Sequence, residues 1–275
     1  MNEKRPERRQ HTVKAYLKQS FLNSTSAREL RILAEYLEPK NRFDHYRIDD
    51  TIVFMGSARI LSRERAEAAL AAAEGGKGDP ERARRQLAMS RYYEDARLLA
   101  RRLTEWSKQL PDEEQRFVVC TGGGPGIMEA ANRGASEAKG LNIGLTISLP
   151  LAEFDNRYVT RELSFHFHYF FMRKFWFAYL AKALLVFPGG FGTLDELFEI
   201  LTLRQTHKMR KHLAIVLFGT QYWEEVINFD ALAHHGTIDA EDLMLFRRTD
   251  SVDEAYKIVT EHLTEFALAE RGAIL

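Results

Sequence analysis

The sequence predicts an α/β protein with a doubly wound, Rossmann-like parallel sheet and an N-terminal helical extension. Short apolar, β-branched runs recur along the chain, and each is followed by glycine or proline and then by a helical pattern. The runs are apolar throughout and do not alternate, which is typical of parallel strands covered on both faces. They lie at residues 51–55, 117–120, 143–147, 183–187 and 213–218.

Length and composition agree with this fold class and exclude others. A chain of 275 residues accommodates one α/β domain with an added helical segment. Its 45% hydrophobic and 28% charged residues exclude a disordered or collagen-like chain. Lys plus Arg equals Asp plus Glu at 39 each, so no overall field attracts nucleic acid or acidic membranes. We therefore predict neither of these partners.

The sequence carries no sign of export or membrane insertion. Cys120 is the single cysteine, so the chain forms no internal disulfide and needs no oxidising compartment. The most apolar stretch, 175–187, contains Lys182 and is too short to span a bilayer. Residues 1–10 lack the apolar core of a signal peptide. We expect a cytoplasmic protein.

The elements before the first strand are helical. Residues 1–10 are polar and predict a tail, and residues 13–37 predict two helices broken near 23–26. We place the tail and helical extension at 1–48 and a Rossmann-like nucleotide-binding catalytic domain at 49–275. Within the first crossover, the glycines around Lys77 indicate a loop, because no strand precedes them and no Lys-Ser/Thr pair follows.

Two glycine-rich turns follow predicted strands, at 121–126 and 188–193. Ligands of doubly wound sheets bind outside the carboxyl ends of the strands, and free N–H groups at the start of the next helix favour anions. Neither turn is a dinucleotide fingerprint or a Walker A loop. A ligand-free turn would explain either one alone, but two on one sheet favour a phosphate site.

Glu196 has two interpretations. Its spacing from Thr193 fits a capping box at a helix start. However, Ile200 and Leu203 share its face of the helix, nearly opposite the apolar stripe that includes Leu197, so both faces need cover. We infer that a partner subunit or another element packs there. A carboxylate in such a place is dehydrated unless it faces a ligand or an arginine, which makes Glu196 a candidate for catalysis.

Arg173 is the arginine that best suits this role, because Arg173 and Lys174 interrupt an aromatic run at 170–177. The pair points into a polar pocket or, alternatively, lies at the surface of a helix end. His166 and His168 alternate on a possible strand, but no spacing supplies a third ligand, so we predict no metal site. Cys120 ends a buried strand and fits a core thiol better than a nucleophile.

The Arg173-Lys174 pair followed by Pro188-Gly-Gly-Phe-Gly-Thr-Leu-Asp-Glu196 resembles the hallmark of the LOG family. These phosphoribohydrolases activate cytokinins and were once described as lysine decarboxylases. The likeness covers about residues 51–220. The helical extension and an enlarged first crossover at 60–88 are similar to the longer bacterial members. Nothing marks a pyridoxal-binding lysine.

The resemblance implies specific roles for residues of this chain. The family's essential arginine and glutamate correspond to Arg173 and Glu196. Its positions for holding the phosphate and the nucleotide correspond to Ser57, Gly122, Gly123, Gly124, Lys174, Gly189, Gly190, Gly192, Thr193 and Thr202.

The resemblance also implies a reaction: hydrolysis of the N-glycosidic bond of a nucleoside 5′-monophosphate, of the AMP or cytokinin riboside monophosphate type. The products are the free base and ribose 5-phosphate, and no cofactor is implied. The alternative is a non-catalytic carrier of a nucleotide or phosphorylated cofactor. An NAD(P)-dependent oxidoreductase is disfavoured, because the first strand's turn lacks Gly-x-Gly-x-x-Gly. We expect a homodimer or a higher homo-oligomer.

Overall fold

The computed structural model describes residues 12–110, 117–148 and 156–268, and its centre is a seven-stranded sheet. The predicted tail at 1–10 lies outside the described residues. The strands are β1 (Thr51–Met55), β2 (Val118–Thr121), β3 (Asn142–Ile147), β4 (Ser164–Phe167), β5 (Ala181–Val186), β6 (Ala214–Phe218) and β7 (Arg247–Thr249).

The sheet is parallel throughout, with the strand order β4-β3-β2-β1-β5-β6-β7. The chain builds outward from β1 to β4, returns to place β5 on the other side of β1, and then continues to β7. The direction of winding therefore reverses between β1 and β5, and a crevice opens beyond their carboxyl ends. The predicted doubly wound α/β fold is confirmed.

Helices cover both faces of this sheet. They are α1 (Gln19–Leu22), α2 (Arg28–His45), α3 (Arg63–Glu74), α4 (Pro80–Ser107), α5 (Ile127–Glu137), α6 (Phe170–Leu180), α7 (Phe191–Gln205), α8 (Thr220–Val226), α9 (Phe229–His234) and α10 (Val252–His262). Short 3-10 turns lie at Ala15–Leu17, Thr25–Ala27, Arg161–Leu163 and Ala240–Leu245, and a π-helical turn lies at Leu263–Ala267. None of the helices in these ranges is both long and apolar enough to cross a membrane.

Two hydrophobic clusters, one on each face of the sheet, form the core. Alternate residues of each strand enter alternate clusters: Ile52 and Phe54 face α4, α5 and α10, whereas Val53 and Met55 face α2 and α6 to α9. This explains why the central strands carry apolar residues on both of their faces, since both faces are buried.

The predicted strands are present with small shifts at their ends, and two further strands lie in the sheet, of which the sequence indicated one only as a possible strand at His166 and His168. These are β4 and β7, the two edges. On β4, Phe165 and Phe167 are buried while Ser164 and His166 are exposed. Edge strands have one partner and are only partly covered, so the continuous apolar run that marks a central strand is missing from them.

The N-terminal extension is fixed to the rest of the chain through α2. The Glu35 carboxylate accepts hydrogen bonds from the backbone N–H of His168 (2.7 Å) and of Tyr169 (3.2 Å). The Trp176 indole donates to the Glu35 carbonyl at 3.1 Å, and the Tyr36 ring stacks on that indole. The predicted break near 23–26 is the 3-10 turn that separates α1 from α2. The division at residue 48 stays a prediction.

Two lysines are buried near the start of β5. Lys182 is 1% exposed, and its Nζ lies 3.8 Å from Oδ1 of Asp50, which is also buried. The Lys211 ammonium donates to the carbonyls of Ala178 (2.6 Å) and Tyr179 (2.8 Å) at the end of α6. Burial, together with the charge of Lys182, lowers the pKa of Lys211 to about 7.

Candidate functional site

A cavity of about 660 Å³ lies at the point where the winding of the sheet reverses. The loop after β1, the first residue after β2 and the loop after β5 meet there, as the carboxyl ends of parallel strands must. This volume suits a small-molecule ligand. Its polar walls come from Ser57, Arg59, Arg173, Thr193, Glu196 and Tyr222, with Gly122 and the glycines of 189–192 between them.

Ser57 joins three of the loops around this cavity. Its N–H donates to the Pro188 carbonyl (2.9 Å), and its own carbonyl accepts from the N–H of Ile127 (3.1 Å). Its hydroxyl accepts from the Arg59 N–H at 3.1 Å, which shapes the turn after β1. The segments that follow β1, β2 and β5 are thereby held together by one residue.

The glycine turn at 188–193 leaves room for a ligand. α7 begins at Phe191, and Leu194 is the first of its residues whose N–H bonds back to a carbonyl, that of Gly190 (3.0 Å). The N–H groups before Leu194 precede the helical ladder, and such groups attract anions. A Cβ atom added at Gly190 or Gly192 would meet nothing within 4 Å. The backbone is therefore open to close approach at these two positions.

The glycine turn at 121–126 packs against neighbouring segments of the protein. A side chain at Gly126, where φ is +70°, would collide with the Ser57 carbonyl. A Cβ atom added at Gly122 or Gly124 would meet the flexible end of the Met128 side chain, which can move aside. Of these glycines only Gly122 lines the cavity. Packing between neighbouring segments accounts for glycine at 126 without any ligand.

Arg173 and Glu196 form a buried ion pair on the wall of the cavity. Nη2 of Arg173, on α6, lies 2.6 Å from Oε1 of Glu196, on α7, and the two side chains are only 13% and 8% exposed. The rings of Phe170 and Phe177 lie beneath the guanidinium, at 5.4 and 5.5 Å. Among the described residues, none donates a hydrogen bond to Oε2 of Glu196, and Nε of Arg173 is buried without an acceptor. Oε2 of Glu196 is thus the atom of the pair that remains for a ligand.

Glu196 is not the second half of a capping box. α7 begins at Phe191, so Thr193 already lies in its first turn, and the N-cap position is occupied by Gly190 without a side-chain cap. Thr193 is buried under Gly189. Burial raises the pKa of Glu196 above its ordinary value, and the charge of Arg173 opposes this effect only in part.

The second apolar face of α7 is covered by this chain itself. Ile200 is 5% exposed and belongs to the same core cluster as Leu197, while Leu203 is partly buried against that cluster. The sequence allowed either a partner subunit or another element of the same chain to pack over this face. For Ile200, the structure shows that residues of the same chain do so.

Several residues assigned to nucleotide binding lie away from the cavity. Lys174 pairs with Asp195 (2.8 Å) and Glu199 (3.2 Å) on the outer side of α7. The Thr202 hydroxyl donates to the Phe198 carbonyl at 2.7 Å and lines a separate cavity of about 90 Å³. Neither Gly123 nor Gly124 lines the main cavity. The His166 ring lies on the edge strand β4, where it contacts the hydroxyls of Thr146 and Ser148.

Other residues of the cavity were not singled out in the sequence. Phe177 lies one turn after Arg173 on α6, and Tyr222 lies on α8, just after β6. The Tyr222 hydroxyl donates to the Gly189 carbonyl at 2.6 Å and so supports the glycine turn. The rule that ligands gather at the carboxyl ends of strands, applied also to β6, would have pointed to Tyr222.

Part of this chain matches a known protein family. Residues 128–259, just under half of the chain, match the family described as "Possible lysine decarboxylase". This segment belongs to that family. The LOG family, whose hallmark the sequence resembles, was once described by that name. The matched segment contains Arg173, Glu196 and the glycine turn at 188–193.

Several solved structures resemble this chain at low identity. TM1055, a structural genomics target, is 18% identical, with a TM-score of 0.49 over 77% of this chain and 99% of its own. The molybdenum cofactor carrier protein MCP from Chlamydomonas reinhardtii is 17% identical, with a TM-score of 0.43 over 78% and 99%. The molybdenum cofactor binding protein from Rippkaea orientalis is 19% identical, with a TM-score of 0.40 over 62% and 86%. No curated protein sequence matches this chain significantly.

Proposed function

We propose that this protein hydrolyses the N-glycosidic bond of a nucleoside 5′-monophosphate, releasing the free base and ribose 5-phosphate. The observation that carries the proposal is the buried Arg173–Glu196 pair on the wall of a cavity that also contains the open start of α7. The cavity thus combines a place for an anion with a carboxylate and a permanent positive charge.

The start of α7 would hold the 5′-phosphate. The N–H groups that precede the helical ladder and the positive end of the helix dipole both favour a phosphate at this point. No side chain at Gly190 or Gly192 obstructs its approach. Binding energy from the phosphate, which does not react, would hold the glycosidic bond in position beside Glu196.

Glu196 would act on the ribose. Positive charge develops on the sugar as the base departs, and a nearby carboxylate lowers the energy of that state or deprotonates the attacking water. Both roles require the ionised form of Glu196. The Arg173 contact uses Oε1, so Oε2 is the oxygen that would face the sugar or the water.

Arg173 would have two tasks. Its guanidinium lowers the pKa of the dehydrated Glu196 carboxylate and so favours the ionised form against the effect of burial. Its remaining donors would contact the ribose, the phosphate or the departing base. Because a guanidinium does not lose its proton in proteins, Arg173 orients groups and stabilises charge and does not act as a general acid.

Release of free base from AMP tests the proposal. We expect the purified protein to release adenine, and Glu196→Ala to lower kcat by about 100-fold or more while still binding the nucleotide. Glu199→Gln is the matched control, since Glu199 lies one turn further along α7 and outside the cavity. Unchanged kcat in Glu196→Ala would remove Glu196 from the chemistry.

The same assay separates hydrolysis from the carrier alternative. A screen of purine, pyrimidine and isopentenylated monophosphates, read by free-base release, also identifies the preferred base. Tight binding of these nucleotides by the unaltered protein with no base release from any of them would reject hydrolysis and favour a carrier of phosphorylated ligands.

A further inference from the structure

Beside the main cavity lies a smaller one, of about 310 Å³, that is lined by arginines. The two cavities share Ser57, Arg59, Gly189, Gly190 and Tyr222, so they meet at the glycine turn that opens α7. A Cβ atom at Gly190 would meet nothing within 4 Å, which leaves the backbone between the two spaces uncovered.

The arginines of the smaller cavity come from two elements. Arg59 belongs to the loop after β1, whereas Arg82 and Arg85 lie near the start of α4. Gln86 and Met89 also line this cavity, and the spacing of these four residues of α4 places them on one face of the helix. The first turns of α4 therefore face the glycine turn.

The charge in this cavity is unbalanced. No carboxylate is among its described lining residues, and within the described ranges none of the three arginines forms an ion pair. Arg84, on another face of the same helix, pairs with Glu81. Guanidinium groups that converge without a carboxylate favour a phosphate, whose oxygens accept their planar pairs of N–H donors.

We propose that Arg59, Arg82 and Arg85 form a second anion subsite, which binds a phosphoryl group attached to the 5′-phosphate. This inference rests on the proposed function, because it takes the 5′-phosphate to lie at the start of α7. The ligand class is then a nucleotide with at least one phosphoryl group beyond the first, such as a nucleoside 5′-diphosphate. The subsite extends specificity along the phosphate chain and not toward the base.

Calorimetric titration of AMP and ADP into Glu196→Gln, which should not turn over the ligand, tests the proposal. We expect ADP to bind about tenfold more tightly than AMP. Adding Arg82→Gln and Arg85→Gln should abolish most of this preference. Adding Arg84→Gln is the matched control and should retain it, since Arg84 does not line the cavity. The side chains of Arg82, Arg84 and Arg85 are all exposed on α4. A thermal melt checks that each variant is folded.

Each outcome decides between the two proposals. If AMP binds and ADP binds no more tightly, the subsite is rejected while the main cavity stands. A preference lost equally in Arg84→Gln would also reject the subsite, because it would show a general effect of surface charge. If neither nucleotide binds, the proposed function fails, and titration with pyrophosphate then decides: binding that depends on Arg82 and Arg85 supports the anion subsite, and no binding rejects it.

Discussion

At the scale of single residues, the ionisation of Glu196 links the structure to the pH dependence of activity. Burial raises the pKa of this carboxyl, and the charges of Arg173 and Lys174 lower it. A group with a raised pKa becomes protonated at a higher pH than usual as the solution is acidified. If catalysis needs the carboxylate, kcat/KM falls on the acid side at a pH above the ordinary value for glutamate.

Lys174→Gln should move this acid limb to still higher pH. The substitution removes a charge that lowers the pKa of Glu196 and leaves Asp195, whose charge raises it, without its lysine. Comparing pH profiles of kcat/KM for the two proteins isolates the effect, because the substrate titrates identically in both. Lys208→Gln, an exposed position, is the control. A shift of the limb to lower pH would contradict the prediction.

The two main residues of the candidate site could be selected from the sequence, but their environment could not. Arg173 and Glu196 were selected from charges placed among apolar neighbours, and the structure brings them to 2.6 Å. Lys174 is adjacent in sequence, yet it pairs with Asp195 and Glu199 and not with Glu196, because consecutive residues of a helix diverge by about 100°. Sequence spacing shows which face of a helix a side chain occupies. It does not show which residues of other elements pack against that face.

At the scale of elements, the two glycine turns predict opposite effects of alanine. Gly190→Ala should weaken nucleotide binding about tenfold or more without changing the melting temperature, because its Cβ enters open space where the phosphate would lie. Gly126→Ala should lower the free energy of unfolding by at least about 2 kcal/mol, because φ is +70° and the Cβ collides with the Ser57 carbonyl.

Urea unfolding and nucleotide titration on both alanine variants check this contrast. Gly236→Ala serves as a control for the backbone effect, since φ is +68° there but nothing lies within 4 Å of the added Cβ. Equal destabilisation by Gly236→Ala and Gly126→Ala would show that conformational strain, and not the collision, sets the cost. A destabilised Gly190→Ala would show that this turn is also tightly packed.

Lys211 should make the stability of the fold depend on pH. Its pKa is about 7 in the folded protein, against 10.5 as the ordinary value, so between these values the unfolded chain binds more protons. Stability from this group therefore increases as the pH rises from about 7 toward 10, with a slope of at most about 1.4 kcal/mol per pH unit. Below pH 7 both states are protonated and the slope disappears.

Urea unfolding of the unaltered protein and Lys211→Met at pH 7 and pH 9 measures this slope. The variant lacks the titrating group, so its stability should rise less between the two pH values, whatever its absolute stability. Lys208→Met, on the exposed surface, should behave as the unaltered protein. Parallel changes in the Lys211 variant and the unaltered protein would show that Lys211 keeps an ordinary pKa.

Central strands and edge strands differed in how well the sequence marked them. Continuous apolar runs identified β1, β2, β3, β5 and β6, because both faces of these strands are covered by helices. β4 alternates, and β7 is three residues long and begins with two arginines. A strand with an open edge needs less apolar surface, so its sequence resembles that of a loop.

At the scale of the whole molecule, the order of the strands was not available from the sequence. Alternating strands and helices predict parallel pairing, but many orders satisfy that pattern. The observed order places β5 beside β1, and this alone brings the loop after β1 to the glycine turn at 188–193. Ser57 was assigned from the family resemblance, and the strand order supplies the physical reason for its position in the cavity.

The homodimer or higher homo-oligomer stays a prediction, and α7 does not supply the exposed apolar face from which the sequence suggested it. Ile200 is covered within the chain, but α2 carries three leucines at helical spacing that are about half exposed: Leu30 (49%), Leu33 (50%) and Leu37 (50%). We propose that this stripe contributes to contact between two copies. Light scattering after size separation at micromolar concentration should give the mass of a dimer.

Leu33→Lys with Leu37→Lys should convert the dimer to a monomer of unchanged secondary structure, because two charges on the stripe would have to be buried at the interface. Leu98→Lys is the matched control: Leu98 is also a half-exposed helical leucine, at 47%, but lies on α4 away from the stripe. A monomeric unaltered protein would reject the dimer, and a dimeric double variant would place the contact elsewhere.

The three hydrogen bonds of Ser57 have a consequence for the thermodynamics of recognition. Since the loops that surround the cavity are already tied to one another, a ligand entering it does not have to immobilise them, and little conformational entropy is lost there. Affinity should then be limited mainly by the removal of water from the ligand's charges and from the arginines that meet them.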